Sequence, residues 1–181
     1  MARQIDKDTE IVITNNLHGG FFYQTPNGSL VIDMEDFGSD DYITFGELKT
    51  MMARSRKILQ NLHVVITSVI SDDVTIEDVV TALKLKDSYD ELLSLADEKL
   101  ADVDYIDIET IPNFVSEADA DRLAKILNNK KSKLRFCIAE SAVELFKNDE
   151  LNDYNKMNIL AEKLGHERMD TFWRDIRDSA K

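Results

Sequence analysis

The triplet His18-Gly19-Gly20 is the stretch whose residue types and spacing come nearest to chemistry. In some esterases a His-Gly-Gly loop supplies oxyanion-binding N–H groups, but it works with a serine in a later Gly-x-Ser-x-Gly turn. The chain contains no such turn, and it has neither of the common glycine-rich phosphate-binding loops. We therefore interpret the triplet as a glycine-assisted bend or bulge between two strands.

The side chains that could ligate a metal ion are too dispersed, or wrongly spaced, to form a recognisable site. None of the histidines, His18, His63 and His166, has a second His or Cys at metal-ligand spacing. The acidic run over residues 33–41 lacks EF-hand spacing, and we interpret its acids as solvated turn residues. Acidic residues are too abundant for any pair to stand out as catalytic carboxylates. The sequence predicts no catalytic residue, metal site or cofactor.

Cys137 is the only cysteine of the chain and lies in an apolar, helix-like run, KLRFCIAESAVELF. A single cysteine cannot form an intramolecular disulfide, which is typical of a reducing compartment. A nucleophilic role would require a nearby histidine, which the sequence does not indicate. We interpret Cys137 as a small residue of the core.

The chain has 181 residues and a net charge of −13, from 22 basic and 35 acidic residues. Nucleic-acid and anionic membrane surfaces attract basic proteins, so we expect no direct binding to either. No window approaches the roughly 20 apolar residues of a membrane span. The N-terminus lacks an apolar stretch, so we also expect no secretory signal. The acidity is compatible with solubility or with attraction to a basic partner.

The elements that position these residues fall into two parts. Residues 1–72 alternate short runs of β-formers with turn residues, which predicts strands. Proline followed by Asn27 and Gly28 predicts a hairpin turn, because proline presets φ and the next two residues tolerate positive φ. Thr44 and Glu47 have capping-box spacing, which predicts a helix start. The predicted strands are residues 10–16, 21–25, 30–34, 42–45 and 63–70.

From residue 73 the apolar residues recur with a helical period, which predicts a mainly helical second part over 73–181. We expect a strand or connector over 102–111 to end at Pro112, Ser116 to begin a helix, and Gly165 and Asp170 to act as caps. The predicted fold class is α+β: a small antiparallel, strand-rich unit with one helix (1–72), then a helical unit. Counted by these boundaries, the net charges are −4 and −9. The other predicted helices are 76–85, 89–100, 134–146 and 151–164.

Two aromatic groups are candidates for partner binding. Successive strand residues point to opposite faces, so at least one ring of Phe21, Phe22 and Tyr23 must face away from the local core. Phe172 and Trp173 are adjacent in the last helix and point about 100° apart. Aromatic residues are enriched at interface centres, so each group is compatible with a core role or with an interface role.

Three segments of the chain have a distinctive layout: ITNNLHGGFFYQ, then the acidic turn, strand and helix DFGSDDYITFGELKTMMARSRKIL, and near the end AESAVELFKNDELNDYNKMNILAEKLG. In this layout the chain resembles small accessory structural proteins of tailed bacteriophages. The resemblance covers about the first 70 residues and about 30 near the end. It implies a virion component, made in the host bacterial cytoplasm, that binds capsid, connector or tail proteins in many copies. It implies no reaction and carries no catalytic motif.

These observations favour a non-enzymatic protein that associates with other virion proteins or with copies of itself, and that has no small-molecule substrate. The first alternative is an acidic regulatory module that occupies a basic surface, such as a nucleic-acid-binding site on a host protein. This alternative requires the acidic groups to be concentrated on one face of the protein. The second alternative is a small metal-dependent enzyme that uses carboxylates, which requires a pocket with converging aspartates.

Overall fold

The computed structural model describes residues 4–164 and 169–179 of the chain. The chain divides into two compact units, Met1–Thr110 and Ile111–Lys181, called the first and the second unit. Strands in antiparallel sheets precede a series of helices, so the predicted α+β class is confirmed. None of the helices in the described ranges is long and apolar enough to cross a membrane.

The first unit is built around a three-stranded antiparallel sheet with a separate hairpin. The central strand β1 lies between β4 and β5 and runs antiparallel to both. Strands β2 and β3 pair with each other as a two-stranded sheet. All five predicted strands are confirmed, with ends shifted by up to two residues. They are β1 (Glu10–Asn15), β2 (Phe21–Gln24), β3 (Val31–Met34), β4 (Asp40–Thr44) and β5 (Val64–Ile70).

The predicted turn joins β2 to β3. The Thr25 carbonyl accepts a hydrogen bond from the Gly28 N–H at 2.8 Å, and Gly28 has a φ of 68°. The next pair closes the hairpin, since the Thr25 N–H donates to the Leu30 carbonyl at 3.0 Å. Proline and glycine therefore act as the sequence predicts: proline presets the turn, and glycine adopts the left-handed conformation without strain.

Helix α1 (Phe45–Gln60) connects β4 to β5, which flank β1 and run parallel to each other. Its start is the predicted capping box: the Thr44 hydroxyl accepts from the Glu47 N–H at 3.3 Å, and the Glu47 carboxylate accepts from the Thr44 N–H at 2.8 Å. The helix packs its apolar stripe against the sheet. The buried residues of this stripe are Phe45, Leu48, Met51 and Leu59.

Two further helices belong to the first unit, which extends past the predicted boundary at residue 72. They are α2 (Ile76–Ala82), capped by Thr75, and α3 (Lys86–Leu93). The boundary at 72 marks the change of secondary structure, whereas the compact unit ends at Thr110. The reason is that α2 and the segment after α3 pack beside β5: the Ile106 N–H donates to the Thr67 carbonyl on its edge at 2.9 Å.

The predicted helix over 89–100 was wrong in its extent. Helix α3 ends at Leu93 and is followed by two short 3-10 turns, Ser94–Ala96 and Leu100–Asp102. Asp97 adopts a left-handed φ of 59°, and the Glu98 N–H donates back to the Leu93 carbonyl at 3.0 Å. This closing arrangement satisfies a terminal carbonyl and stops the helix, although the apolar period continues in the sequence.

The described part of the second unit contains helices, and two predicted boundaries in it were wrong. Pro112 does not end a segment but lies in the first turn of α4, where its missing N–H has no cost. Ser116 lies inside α4; the next helix begins after Asp119, whose carboxylate accepts from the Arg122 N–H at 2.7 Å. The helices are α4 (Thr110–Glu117), α5 (Ala120–Asn128), α6 (Arg135–Lys147), α7 (Tyr154–Lys163) and α8 (Met169–Ser179).

The helix predicted over 151–164 begins three residues later than expected. The Asp153 carboxylate accepts from the N–H groups of Asn155 at 2.8 Å and Lys156 at 3.0 Å, so it caps α7. The other two predicted caps, Gly165 and the side chain of Asp170, lie outside the described part of the chain.

Candidate interaction surface

The aromatic run of β2 divides between core and solvent as the strand period requires. Phe21 and Tyr23 are buried, with 8% and 9% of their surface exposed, whereas Phe22 is 62% exposed. The prediction that one ring faces away is confirmed, and the outward ring is Phe22. Of the three candidate partner-binding residues in β2, Phe22 is the one that a partner can reach.

Phe22 is accompanied by a second exposed apolar side chain on the same face of the hairpin. It stands opposite Asp33, and Gln24 stands opposite Val31, which is 49% exposed. Phe22 and Val31 are therefore diagonal neighbours, close enough for their side chains to interact. These two residues form what we call the hairpin patch.

The loops at the base of the hairpin are joined by the buried amide of Asn15, at the end of β1. Its Nδ2 donates to the carbonyls of Gly19 at 2.7 Å and Asp36 at 3.0 Å, while its Oδ1 accepts from the Leu17 N–H at 3.0 Å. These bonds use the acceptor and both donor hydrogens of the amide. The hairpin patch is consequently carried on a braced element. The sequence does not predict this role for Asn15, whose only signal is a polar residue at the end of an apolar run.

The His18-Gly19-Gly20 triplet belongs to this brace. The His18 ring stacks on Phe37, with centroids 4.4 Å apart and planes 6° from parallel. A Cβ at Gly20 would lie 3.3 Å from the Glu35 carbonyl, so glycine allows the two loops to approach. The triplet is a bend between β1 and β2, as predicted.

The second aromatic group lies in α8 of the second unit. Trp173 is buried, donates from Nε1 to the Met157 carbonyl at 3.0 Å and contacts Phe146 at a centroid distance of 4.7 Å. Phe172 is half-buried and meets Trp173 edge to face, also at 4.7 Å. Trp173 is therefore part of the core, while Phe172 presents part of its ring to solvent.

The structure also exposes apolar side chains that the sequence analysis did not single out. Tyr42 pairs with Val12, and Ile70 pairs with Glu10, so Tyr42 and Ile70 project from the same face of the sheet. Each is more than half exposed. The others are Tyr105, Phe136 and Tyr154.

The described cysteine and acidic side chains, which could take part in a reaction, have roles in the fold. Burial raises the pKa of the Cys137 thiol to about 12, and the negative charge of Glu140 adds to the rise, so the thiol is protonated at neutral pH. In the described ranges, no three His, Cys, Asp or Glu side chains converge as metal ligands. His166 lies outside these ranges. Asp40, which belongs to the acidic run, accepts a hydrogen bond from the Thr14 hydroxyl.

Charge is divided sharply between the two compact units. The first unit has 22 acidic and 9 basic residues, a net charge of −13, whereas the second has 13 of each. Residues 73–110 alone have 12 acidic and 3 basic residues. Neither the predicted boundary nor the overall composition indicated that one unit holds the whole net charge.

Comparison with known proteins adds no relative on which a function could be based. The chain matches no protein-family model, no curated protein and no solved structure.

Proposed function

We propose that the chain is a non-enzymatic structural component of a tailed-phage particle. It is made in the host bacterial cytoplasm and binds capsid, connector or tail proteins, or copies of itself, without a cofactor or small-molecule substrate. The observation that supports association is Phe22, an aromatic ring 62% exposed on a braced hairpin. The layout that resembles accessory phage proteins supports the virion as its destination.

The hairpin patch has the properties of an interface anchor. Exposed aromatic residues supply large contact areas and are enriched among residues that dominate binding energy. A braced element loses little conformational entropy on binding, so more of the contact energy appears as affinity. Phe172 adds a second, smaller candidate contact on the second unit.

The first experiment is quantitative mass spectrometry of purified particles. The expected result is a fixed ratio of this chain to the major capsid protein, unchanged by nuclease treatment and by salt washes that strip loosely bound proteins. Absence of the chain from the purified particle would overturn the proposal.

The second experiment locates the contact. Phe22→Ser should leave the fold intact, because the ring is mostly exposed, and should reduce incorporation into particles by about tenfold or more. Tyr154→Ser is the matched control, since Tyr154 is 68% exposed on the second unit and should incorporate normally. Normal incorporation of the Phe22 variant would exclude the hairpin patch as the docking surface.

A second candidate function is supported by the division of charge. The acidic regulatory module requires concentrated negative charge, and residues 73–110 hold 12 acidic groups, each exposed or half-exposed. Such a module should bind a basic host protein, release it steeply as salt rises, and compete with DNA for it. Binding that is insensitive to salt and to DNA would exclude this candidate.

A further inference from the structure

A groove about 370 Å³ in volume runs along the start of α1 in the first unit. The buried side chains of Ile5 and Phe45 contribute to its apolar lining, and Lys7, Lys49 and Arg54 are its cationic residues. The wall formed by the N-terminal segment is held in place because the Gly46 N–H donates to the Lys7 carbonyl at 2.8 Å. A Cβ at Gly46 would lie 3.2 Å from that carbonyl, so glycine permits this close approach.

The cations of the groove are unusual in a unit with a net charge of −13. Helix α1 has four basic residues and only Glu47 as an acid. Within residues 4–164 and 169–179, none of Lys7, Lys49 and Arg54 forms an ion pair, and Lys49 instead lies 5.7 Å above the Phe45 ring. The groove therefore offers an apolar lining and free positive charge, which suits an aromatic residue flanked by carboxylates.

The same unit carries a segment of that chemistry. Tyr105 is 59% exposed and is flanked by Asp102, Asp104 and Asp107, which are also exposed. Ile106 attaches this segment to β5: its side chain is fully buried, and its N–H donates to the Thr67 carbonyl at 2.9 Å. Residues 102–107, called the acidic knob, thus present one ring and three carboxylates on a fixed base.

We propose that the acidic knob of one copy docks into the cationic groove of a second copy. This contact deepens the proposed function by naming one partner, the chain itself. Tyr105 meets the apolar lining, its ring faces the cations of Lys49 and Arg54, and the aspartates pair with the groove charges. The knob and the groove are different surfaces, so the contact is head-to-tail and leaves one of each open on a dimer.

Charge complementarity is the argument for a second copy as the occupant. The net charge of −13 makes two copies repel at long range, so association requires a local match of opposite charges. The knob is a strongly acidic segment with an exposed aromatic ring, and the groove is a cationic surface of the same unit. Such electrostatic matching fixes register and specificity more than raw affinity.

The test is a mixing experiment with two full-length variants, followed by sedimentation velocity. Lys49→Glu with Arg54→Glu disables the groove, and Tyr105→Ser with Asp104→Lys disables the knob. Wild type should self-associate with a Kd of about 10–100 µM, and each variant alone should associate at least about tenfold more weakly. An equimolar mixture should form a dimer that grows no further, because one intact groove meets one intact knob.

The controls separate loss of the contact from loss of the fold. Tyr154→Ser combined with Lys131→Glu changes an exposed aromatic residue and an exposed cation of the second unit and should associate like wild type. Circular dichroism should show native helix content in every variant. Partial reversal by about 0.5 M salt is expected, since the groove cations are exposed to screening.

A wild type that stays monomeric to about 0.5 mM would overturn the inference, as would variants that lose association but fail to complement each other in the mixture. Either result is distinguishable from failure of the proposed function. A monomeric protein found at fixed stoichiometry in particles refutes the knob-and-groove contact alone. A self-associating protein absent from particles refutes the virion role alone.

Discussion

Tyr89 brings a phenol oxygen into the core of the first unit, where no part of its side chain is exposed. The oxygen accepts a hydrogen bond from the Ile66 N–H of β5 at 2.7 Å. Burial raises the pKa of the phenol, which keeps it neutral under ordinary conditions. The Tyr89 hydroxyl of α3 thus accepts a hydrogen bond from a buried backbone donor of β5.

Replacing this tyrosine tests the value of that bond. Tyr89→Phe should lower the free energy of unfolding of the first unit by about 1–3 kcal/mol, because the Ile66 N–H would be buried without an acceptor. Urea unfolding followed by circular dichroism would measure the loss. Tyr42→Phe, at a position 60% exposed, is the control and should change stability by less than about 0.5 kcal/mol. Equal effects of the two changes would contradict the assigned role.

The buried thiol of Cys137 should make the stability of the second unit depend on pH. Its pKa rises from 9.0 to about 12 through burial, with a contribution from Glu140. The folded state therefore holds the proton more tightly, and the resulting stability is full below about pH 9 and is lost as pH rises toward about 12. Between these limits wild type should lose up to about 1.4 kcal/mol per pH unit more than Cys137→Ala.

Trp173 is the fluorescent probe for this measurement, since it is the only tryptophan and lies in the core of the second unit. Its fluorescence should report urea unfolding of both proteins from about pH 8 to about pH 10.5. Tyr89 is present in both chains and cancels in the comparison. A stability difference that stays constant over this range would show that the thiol does not titrate with unfolding.

At the scale of elements, basic side chains from other helices satisfy helix C-termini of the second unit. Lys156 of α7 is 7% exposed, and its Nζ donates to the carbonyls of Val115 at 3.2 Å and Ser116 at 2.7 Å, at the end of α4. Arg135 of α6 donates to the Leu127 carbonyl of α5 and, at 2.8 Å, to the Lys163 carbonyl of α7. Cations at these positions donate hydrogen bonds to carbonyls that have no partner within their own helix, and they complement the helix dipole.

Lys156→Met should therefore destabilise the second unit by about 1–3 kcal/mol, because two carbonyls would lose a charged donor although the apolar stem is retained. Trp173 fluorescence during urea unfolding would measure the effect. Lys125→Met in α5, at an exposed position, is the matched control and should be nearly neutral. A stabilised Lys156 variant would mean that burying the ammonium costs more than its hydrogen bonds return.

At the scale of the whole molecule, the two units differ in how salt should affect them. The first unit has a net charge of −13 and the second has none. Raising NaCl from about 50 mM to about 500 mM screens the repulsion within the first unit, so its amides should exchange more slowly while those of the second unit change little. Hydrogen exchange read by mass spectrometry resolves the two.

Sucrose is the control for this experiment, because an excluded uncharged osmolyte should protect both units. An equal response of both units to salt would show that the net charge does not limit the stability of the first unit. The comparison uses the full chain, so it requires neither unit to fold alone.

Local signals in the sequence predicted the strands, the hairpin turn and the capped start of α1. Each depends on neighbours within a few residues: strand alternation, the Pro26-to-Gly28 turn, and Thr44 with Glu47. The same local logic failed after α3, where the apolar pattern continues but Asp97 takes a left-handed conformation. The prediction from local sequence also failed at Pro112, because proline breaks the interior of a helix but is tolerated in its first turn.

The candidate site divides in the same way. That one of three consecutive rings must face outward follows from the strand period alone, but that the ring is Phe22 depends on which face β2 buries. The brace by Asn15, the groove beside α1 and the exposed Tyr105 each join residues distant in sequence. Composition established the net charge of −13. Only the tertiary structure shows that all of this net charge belongs to the first unit, because α2 and the segment after α3 pack beside β5. Short-range patterns therefore determined the class of fold and its turns, whereas packing between distant segments decided which side chains remain open to a partner.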